Sequence, residues 1–468
     1  MATESNNNNQ VMQIGSDNYK EVIKEIEDAA KKTDLDINKN WEEYNGEHEI
    51  LKRPPKELAN GNTEERTKVV CTYQKKIVES AVSFLFGAPV QLESNAQKKQ
   101  EKEAFSQISS LWKKLKLDYH NRDLARKLAV ETKVAEFFYP VKDKRTGKTK
   151  IKSLIFSHKD GDEIYPEFDD YGDMVAFLRK YKTTNEAGEE VEAADIYTAT
   201  KIYSGIKSGS GWEVIEKENV LGKIPVVYYE QENAEWKDVQ SSIDRIEKLK
   251  SNFGDTNDYF GDPILLLKGN VKNMLKKDEK GKTLQIKGEK NTRTGSVEYN
   301  GGAEILSWDH APDSVNMENQ MLKDDIFGLT DTPDLSFNNV KGMSAVSGVT
   351  LRFMFMGALL KAKNKEETIM PGLERRISLL KACLTTVDRK LAKPFETLEI
   401  SFSLGSVLPH NSEEIINSLM NATGGKQVLS QKTGVQKNPM VDDPEEELKT
   451  IQDESSKSQI NDITESYF

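Results

Sequence analysis

The chain has 468 residues, with 66 Lys and Arg against 77 Asp and Glu for a formal charge of −11, and 36% of its residues are hydrophobic. That length carries a prior of about three domains and enough apolar content for a sizeable core, which excludes a peptide-scale binder. The acidic balance argues against a tight grip on duplex DNA, because such affinity comes largely from Lys and Arg neutralising phosphates, though loose contact stays open.

Residues 1–16 are Asn-rich and unpatterned and read as a flexible arm. From Asn18 to Asn45 the spacing of Val22, Ile23, Ile26 and Ala29 predicts a helix, and Val69, Tyr73, Ile77, Ala81 and Phe84 predict a second over Lys68–Phe86, ended by Gly87 and Pro89. A third is expected over Leu111–Val130. From Val134 to Tyr229 the period becomes two, with turn signals at Thr146-Gly147, Tyr171-Gly172, Ala187-Gly188 and Ser208–Gly211, which predicts an antiparallel meander. Its strands are expected at Ser153–Ser157, Met174–Tyr181, Ala194–Tyr203, Trp212–Ile215 and Ile224–Tyr229. A helix over Asp238–Phe260 follows, then a small β module with strands at Ile264–Leu267, Thr283–Ile286, Val297–Tyr299 and Ile305–Trp308.

Another helix is predicted over Pro312–Gly328, then a polar loop over Thr330–Gly348. The longest helical pattern runs from Val349 to Leu391. Its first turns, LRFMFMGALL, are apolar on nearly every face and are expected to be enclosed by protein. Pro371-Gly372 predicts a kink or break inside it. A strand over Leu398–Leu404 and two acidic helices, Glu413–Asn421 and Asp443–Glu454, complete the chain; residues 411–468 carry five Lys against eleven Asp or Glu.

Known catalytic patterns are missing. The five histidines lie at least 38 residues apart, so no clustered His or Cys–His metal motif forms, and no catalytic or metal-binding residues and no cofactor are expected. Gly147-Lys148-Thr149 and Gly281-Lys282-Thr283 lack the upstream glycine of a phosphate loop and read as hairpin turns. The glycines Gly205, Gly209 and Gly211 precede no amphipathic helix and make no dinucleotide fingerprint. Acid pairs such as Asp169-Asp170, Asp324-Asp325 and Asp331 with Asp334 read as solvated surface rather than Mg²⁺ ligands. Cys71 and Cys383 are too few for a disulfide framework and read as small core residues in a reducing cytoplasm. No stretch longer than 13 residues lacks Asp, Glu, Lys or Arg, against the roughly 20 apolar residues of a spanning helix. Neither a membrane span nor a secretory signal is expected.

Four strings, in order, carry a family resemblance: Tyr73–Glu93 (YQKKIVESAVSFLFGAPVQLE), Gly222–Gly269 with its Ile-Pro-Val-Val strand leading into a long helix, Ser344–Glu366 (SAVSGVTLRFMFMGALLKAKNKE), and Val428–Glu454 with its acidic helix. Together they resemble the SPP1-type portal proteins of tailed bacteriophages. The resemblance implies an α+β portal fold: a flexible arm (1–17), a wing of helices and β meander (18–237), a first stem helix (238–260), a clip (261–311), a second stem helix (312–331), a tunnel loop (332–347), a long kinked helix with a wing strand (348–410), and a crown with acidic tail (411–468).

It also implies a non-enzymatic, dodecameric ring at one capsid vertex, assembled in the host cytoplasm, through which double-stranded DNA passes for packaging and ejection. Implied partners are the large terminase subunit, a head-completion adaptor, and scaffolding and major capsid proteins. On this mapping the stem positions are Ile243, Ile246, Leu249, Phe253, Leu322 and Ile326, and the long-helix core is Phe353, Phe355, Leu359 and Pro371. Asn338, Asn339, Lys341, Ser344 and Ser347 would face the channel, with Lys341 the one basic group of the loop. An acidic bore suits sliding, since it repels phosphates over about 10 Å at 0.1 M salt. Two rival readings are a Mg²⁺-dependent nuclease or nucleotidyltransferase built on the Asp pairs, and a virion assembly protein without a channel.

Overall fold

The computed structural model of the protein describes residues 14–15, 17–29, 37–57, 61–185, 188–209, 211–261, 264–268, 289–290, 292–298, 302–306, 312–336, 348–405, 412–424, 428–438, 440–441 and 444–465. The expected first helix is two: α1 (Tyr19–Ala29) and α2 (Ile37–Asn45). Two short strands, β1 (Lys56–Glu57) and β2 (Thr63–Glu64), pair with each other. The helix expected from Lys68 starts later, as α3 (Tyr73–Phe86), because the backbone before it is engaged elsewhere. After β3 (Val90–Ser94) come α4 (Lys99–Leu115) and α5 (Leu117–Glu131), where one helix from Leu111 was expected. Lys116, with φ at 54°, makes the break without any glycine or proline to announce it.

The meander is two antiparallel sheets. Strands β4 (Lys133–Lys142), β5 (Thr149–Phe156) and β11 (Val226–Glu230) form one, in the order β11-β4-β5. The other holds β6 (Glu163–Phe168), β7 (Met174–Thr184), β8 (Glu190–Tyr197), β9 (Lys201–Ser208) and β10 (Gly211–Glu218), in the order β10-β9-β8-β7-β6. The run Ala194–Tyr203 folds back on itself: Thr198 Oγ1 accepts from the Lys201 N–H at 3.0 Å and closes a turn with no glycine. Gly147 is the predicted hairpin turn, with φ at 67°, between β4 and β5. Between the sheets lies an apolar layer of Ala135, Phe156, Phe177, Tyr197, Ile224 and Val226. The larger sheet takes α1 on its other face, where Tyr19 donates to the carbonyls of Ala194 (2.7 Å) and Tyr203 (3.2 Å). A Cβ at Gly205 would overlap the Tyr19 ring, so a glycine in β9 marks the docking point.

The rest of the chain follows the predicted order. Helix α6 (Gln240–Gly261) and helix α7 (Pro312–Leu329) flank β12 (Ile264–Lys268), β13 (Glu289–Lys290), β14 (Val297–Glu298) and β15 (Gly302–Leu306), with β12 paired to β15 and β13 to β14. The strand expected over Thr283–Ile286 lies outside the described residues. Helix α8 (Gly348–Met354) is separated from α9 (Met356–Val387) at Phe355, then come α10 (Ala392–Thr397) and β16 (Ile400–Leu404), which pairs with β3. Helix α9 runs through Pro371, so the break expected there falls at Phe355 instead. The C-terminal part adds α11 (Ser412–Thr423), an unexpected short α12 (Gln431–Gln436), and α13 (Pro444–Glu465). The fold is α+β. No helix among the described residues is long and apolar enough to cross a membrane.

One core unites α2 to α7, β4, β11 and α9, with Trp236, Leu117, Leu124, Val239, Leu373 and Leu380 among its buried residues. A charged network lies inside it. The Arg376 guanidinium holds Glu136 Oε1 through Nη2 at 2.6 Å and donates through Nη1 to Asn121 Oδ1 at 2.5 Å. Tyr229 donates its hydroxyl to Glu136 Oε1 at 2.5 Å, and His120 Nε2 meets Oε2 at 3.1 Å. Burial works to raise the Glu136 carboxyl, but Arg376 and His120 overcome it and hold it well below the ordinary carboxylate range. This network ties α9 to the three-stranded sheet and α5.

Candidate functional site

The helix pair α6 and α7 and the chain that leaves it form the part of the molecule with the most specific geometry. Ile243, Ile246 and Leu249 are buried along one stripe of α6, and Ile326 and Phe327 at the end of α7. Phe253 and Leu322 are half-buried. Arg245 Nη2 meets Glu318 Oε1 at 2.6 Å across the pair. Of the predicted stem positions, Ile243, Ile246 and Ile326 share one buried core with Leu322 packed against it, whereas Leu249 and Phe253 are not part of that core.

A second face of α6, which pattern reading missed, carries Glu247, Ser251, Asp255 and Asp258 at steps of four, four and three. Extended chain lies along it. Cys71 N–H donates to Glu247 Oε1 at 2.7 Å, Val69 N–H to Ser251 Oγ at 2.9 Å, and Thr67 N–H to Asp255 Oδ1 at 2.7 Å. Alternate N–H groups of an extended segment thus find side-chain oxygens one helical turn apart, which is why residues 67–71 do not join α3. Arg53 adds Asn252 Oδ1 at 2.7 Å and Asp255 Oδ2 at 2.9 Å.

The chain leaving α7 is pinned before it reaches the undescribed part of the polar loop. Thr330 donates to the Ile326 carbonyl at 2.6 Å, Lys361 Nζ donates to the Thr330 carbonyl at 2.7 Å, and Asp331 takes a left-handed φ of 51°. Asp334 then binds Lys323 at 2.6 Å, Lys76 at 3.4 Å and the Ser336 N–H at 3.0 Å. Partial burial pushes the Asp334 carboxyl up, but Lys323, the Ser336 N–H and Lys76 outweigh it and bring it down to about 2. A folded value below the unfolded one contributes stability above about pH 4, which is lost as pH falls towards the folded value. Replacing Asp334 by Asn should therefore speed hydrogen exchange in residues 330–336 several-fold at pH 7, with the difference between variant and parent narrowing as pH falls towards about 2; equal protection at pH 7 would refute the anchoring role. Asn338, Asn339, Lys341, Ser344 and Ser347 lie outside the described residues.

The apolar start of the long helix is largely exposed among the described residues. Phe353 is 67% exposed, and Met354, Met356 and Leu360 are exposed as well. Phe355 and Leu359 are half-buried, Phe355 with its ring 5.9 Å from that of Phe84, and Pro371 is exposed on α9. None of these expected core positions is fully buried among the described residues, which corrects the expectation of an enclosed helix start. Met317, Met321 and Leu329 leave a further exposed set on α7. Large exposed apolar side chains grouped on one element are where contact with another macromolecule is sought.

Members of the acid pairs are engaged within the chain: Asp334 is held by two lysines, Asp324 accepts from Gln320 at 2.7 Å, and Asp169 Oδ1 caps a hairpin turn by accepting from Tyr171 and Asp173 N–H groups. Among the described residues no group of three His, Cys, Asp or Glu side chains is placed to hold a metal ion.

Residues 23–461 match the family described as "Phage portal protein, SPP1 Gp6-like". The chain belongs to that portal family. The portal protein of Bacillus phage SPP1 is 23% identical over 414 residues, covering 85% of this chain and 78% of that protein. Similar solved structures include the neck of an empty gene transfer agent (GTA) particle computed with C6 symmetry, at 11% identity and a TM-score of 0.44 over 86% of this chain and 94% of that one. Another is the virion of a native GTA particle, at 10% identity and a TM-score of 0.42 over 88% of this chain and 96% of that one. Portal proteins are structural channel proteins, not enzymes, and membership sets aside the nuclease reading. Each of the four strings lies within the matched residues.

Proposed function

We propose that this portal protein closes into a ring of about twelve copies at one vertex of a phage head and conducts double-stranded DNA during packaging and ejection. The observation that carries the reading is the exposed apolar side chains of α7, α8 and the start of α9, headed by Phe353 and Leu329, which the described residues leave uncovered. Ring closure needs two different patches that meet on successive subunits, and such a patch is one half of that contact.

On this reading α6 and α7 are the stem, residues 261–311 the clip, and residues 332–347 the loop that faces DNA, where Lys341 meets phosphates transiently. The α1–α5 helices with the two sheets are the wing, and residues 411–468 the crown. The excess of acids lets the duplex slide instead of sticking. The large terminase subunit would dock during packaging, a head-completion adaptor would take the clip afterwards, and scaffolding and major capsid proteins would meet the wing in the virion.

Native mass spectrometry with negative-stain imaging tests the proposal. A closed ring with an open axial pore is expected, and Phe353→Glu combined with Leu360→Glu should shift the population to folded monomers with unchanged circular dichroism. Monodisperse monomer from the parent chain across a range of salt concentrations would overturn it.

A further inference from the structure

We propose that residues 67–71 form a strap that fastens α6 to the helical body through α6 side chains, with the buried His48–Glu247 pair as its proton-controlled latch. His48 and Glu247 are both buried, and His48 Nδ1 contacts Glu247 Oε1, the same oxygen that accepts the Cys71 N–H at 2.7 Å. One carboxylate oxygen therefore holds the turn after α2 and the end of the strap at once. The other ring nitrogen, Nε2, lies 2.7 Å from the Glu43 carbonyl, so with both nitrogens facing oxygens the doubly protonated ring satisfies both contacts, whereas the neutral ring leaves one nitrogen without a proton to donate.

Two carboxylates, one ammonium and one neutral thiol surround this position. From α2 comes Glu43, whose carboxylate accepts from the Trp236 indole at 2.9 Å. From α6 come Glu247 and Lys250, and from the strap comes Cys71, whose thiol lies 3.5 Å from Lys250 Nζ and is pushed up by burial, so it stays neutral near pH 7. Burial works to lower His48, but the bonds to Glu247 and the Glu43 carbonyl overcome it and the group is raised above 6.5. The sign follows: a histidine raised by folding contributes stability that is fully present below its unfolded value and is lost as pH rises through its folded one. Above that point His48 gives up its proton and can no longer donate to both Glu247 Oε1 and the Glu43 carbonyl, and the strap loosens first at Cys71, next along the ladder at Val69 and Thr67. Asp255 and Arg53 anchor the far end without any histidine, so the strap opens from the latch end only.

This reading concerns contacts within one chain and does not depend on the ring. Hydrogen exchange followed by mass spectrometry, expressed as protection factors in the full-length protein, reads it directly because the Val69 and Cys71 amides are themselves the strap's bonds. Protection in peptides covering 66–72 and 244–258 should fall several-fold as pH rises above 6.5 and then level off, while peptides from β7 and β9 stay constant. His48→Gln should flatten the profile. Glu247→Gln, which keeps an amide oxygen for Cys71, should flatten it too and serves if His48→Gln does not fold. A flat profile in the parent protein, or the same fall in either folded variant, would overturn the latch. A change of assembly state seen by native mass spectrometry with the exchange profile intact would count against the ring alone.

Discussion

Arg376→Ala should lower the stability of the protein by about 3–5 kcal/mol, the cost of leaving one member of a buried ion pair uncompensated. Glu136 and Arg376 are both fully enclosed, and Glu136 is bonded by Arg376, Tyr229 and His120. Without the guanidinium the carboxylate stays buried with only neutral or weaker donors. It can then escape the cost only by taking up a proton. Urea unfolding should show the lower midpoint at an unchanged slope. A pH series should show the difference narrowing on acidification, because Glu136, depressed in the folded parent, contributes stability that is present above about pH 4.3 and is lost as pH falls through its folded value. Replacing both partners, as Glu136→Gln with Arg376→Met, should recover a large part of the loss, since a neutral pair carries no stranded charge. A single-variant loss under about 1 kcal/mol would mean that the network reorganises and does not bear the charge as described.

The second large effect is expected at Gly372, and here shape rather than charge decides it. A Cβ placed on Gly372 would overlap the ring of Tyr229 and come within 2.7 Å of its hydroxyl oxygen. The ring cannot swing away cheaply, because its hydroxyl is committed to Glu136 at 2.5 Å and the residue is 2% exposed. Overpacking of this kind costs about 1–3 kcal/mol, and at Gly372→Ala the upper part of that range is expected, offset slightly by the better helix propensity of alanine. Thermal unfolding would measure it. Because Gly372 and Arg376 both act on Tyr229 and Glu136, the double variant should lose less than the sum of the two single losses; strict additivity would place the two effects in separate networks.

The fate of Pro371-Gly372 shows where sequence reading succeeds and where it stops. The pair reads as a helix interruption, yet α9 continues through it, and the glycine is there because a tyrosine 143 positions earlier in the chain needs the space. No local pattern carries that information. The amphipathic stripes of α3, α6 and α7 were legible because each buries one face at helical spacing, and the predicted stem residues Ile243, Ile246, Leu249 and Ile326 are buried accordingly. The left-handed Lys116 and the turn at Thr198 were invisible, since neither uses a residue that forces a turn. The late start of α3 was equally hidden: Lys68–Thr72 suits a helix by spacing, but the α6 ladder competes for its backbone donors and wins. Phe353 was expected inside because its neighbours are apolar on all sides, yet it is exposed among the described residues, since an apolar sequence reports a preference for cover and not where the cover lies.

The pairing of β3 with β16 also governs how the protein must be made. Val90 meets Leu404 and Ser94 meets Ile400, and α9, built from residues 356–387, completes the core around α3 and α5. A ribosome adding about 5–20 residues per second therefore holds the first helices outside the exit tunnel for tens of seconds before their covering segments emerge. During that interval Ile77, Val82, Leu85 and Leu128 can pack on one another and on α2, α4 and β4, but the side of this core that α9 covers stays open, so nascent chains arrested before residue 356 should be the ones captured by holdases, and release from them should coincide with synthesis of the C-terminal third.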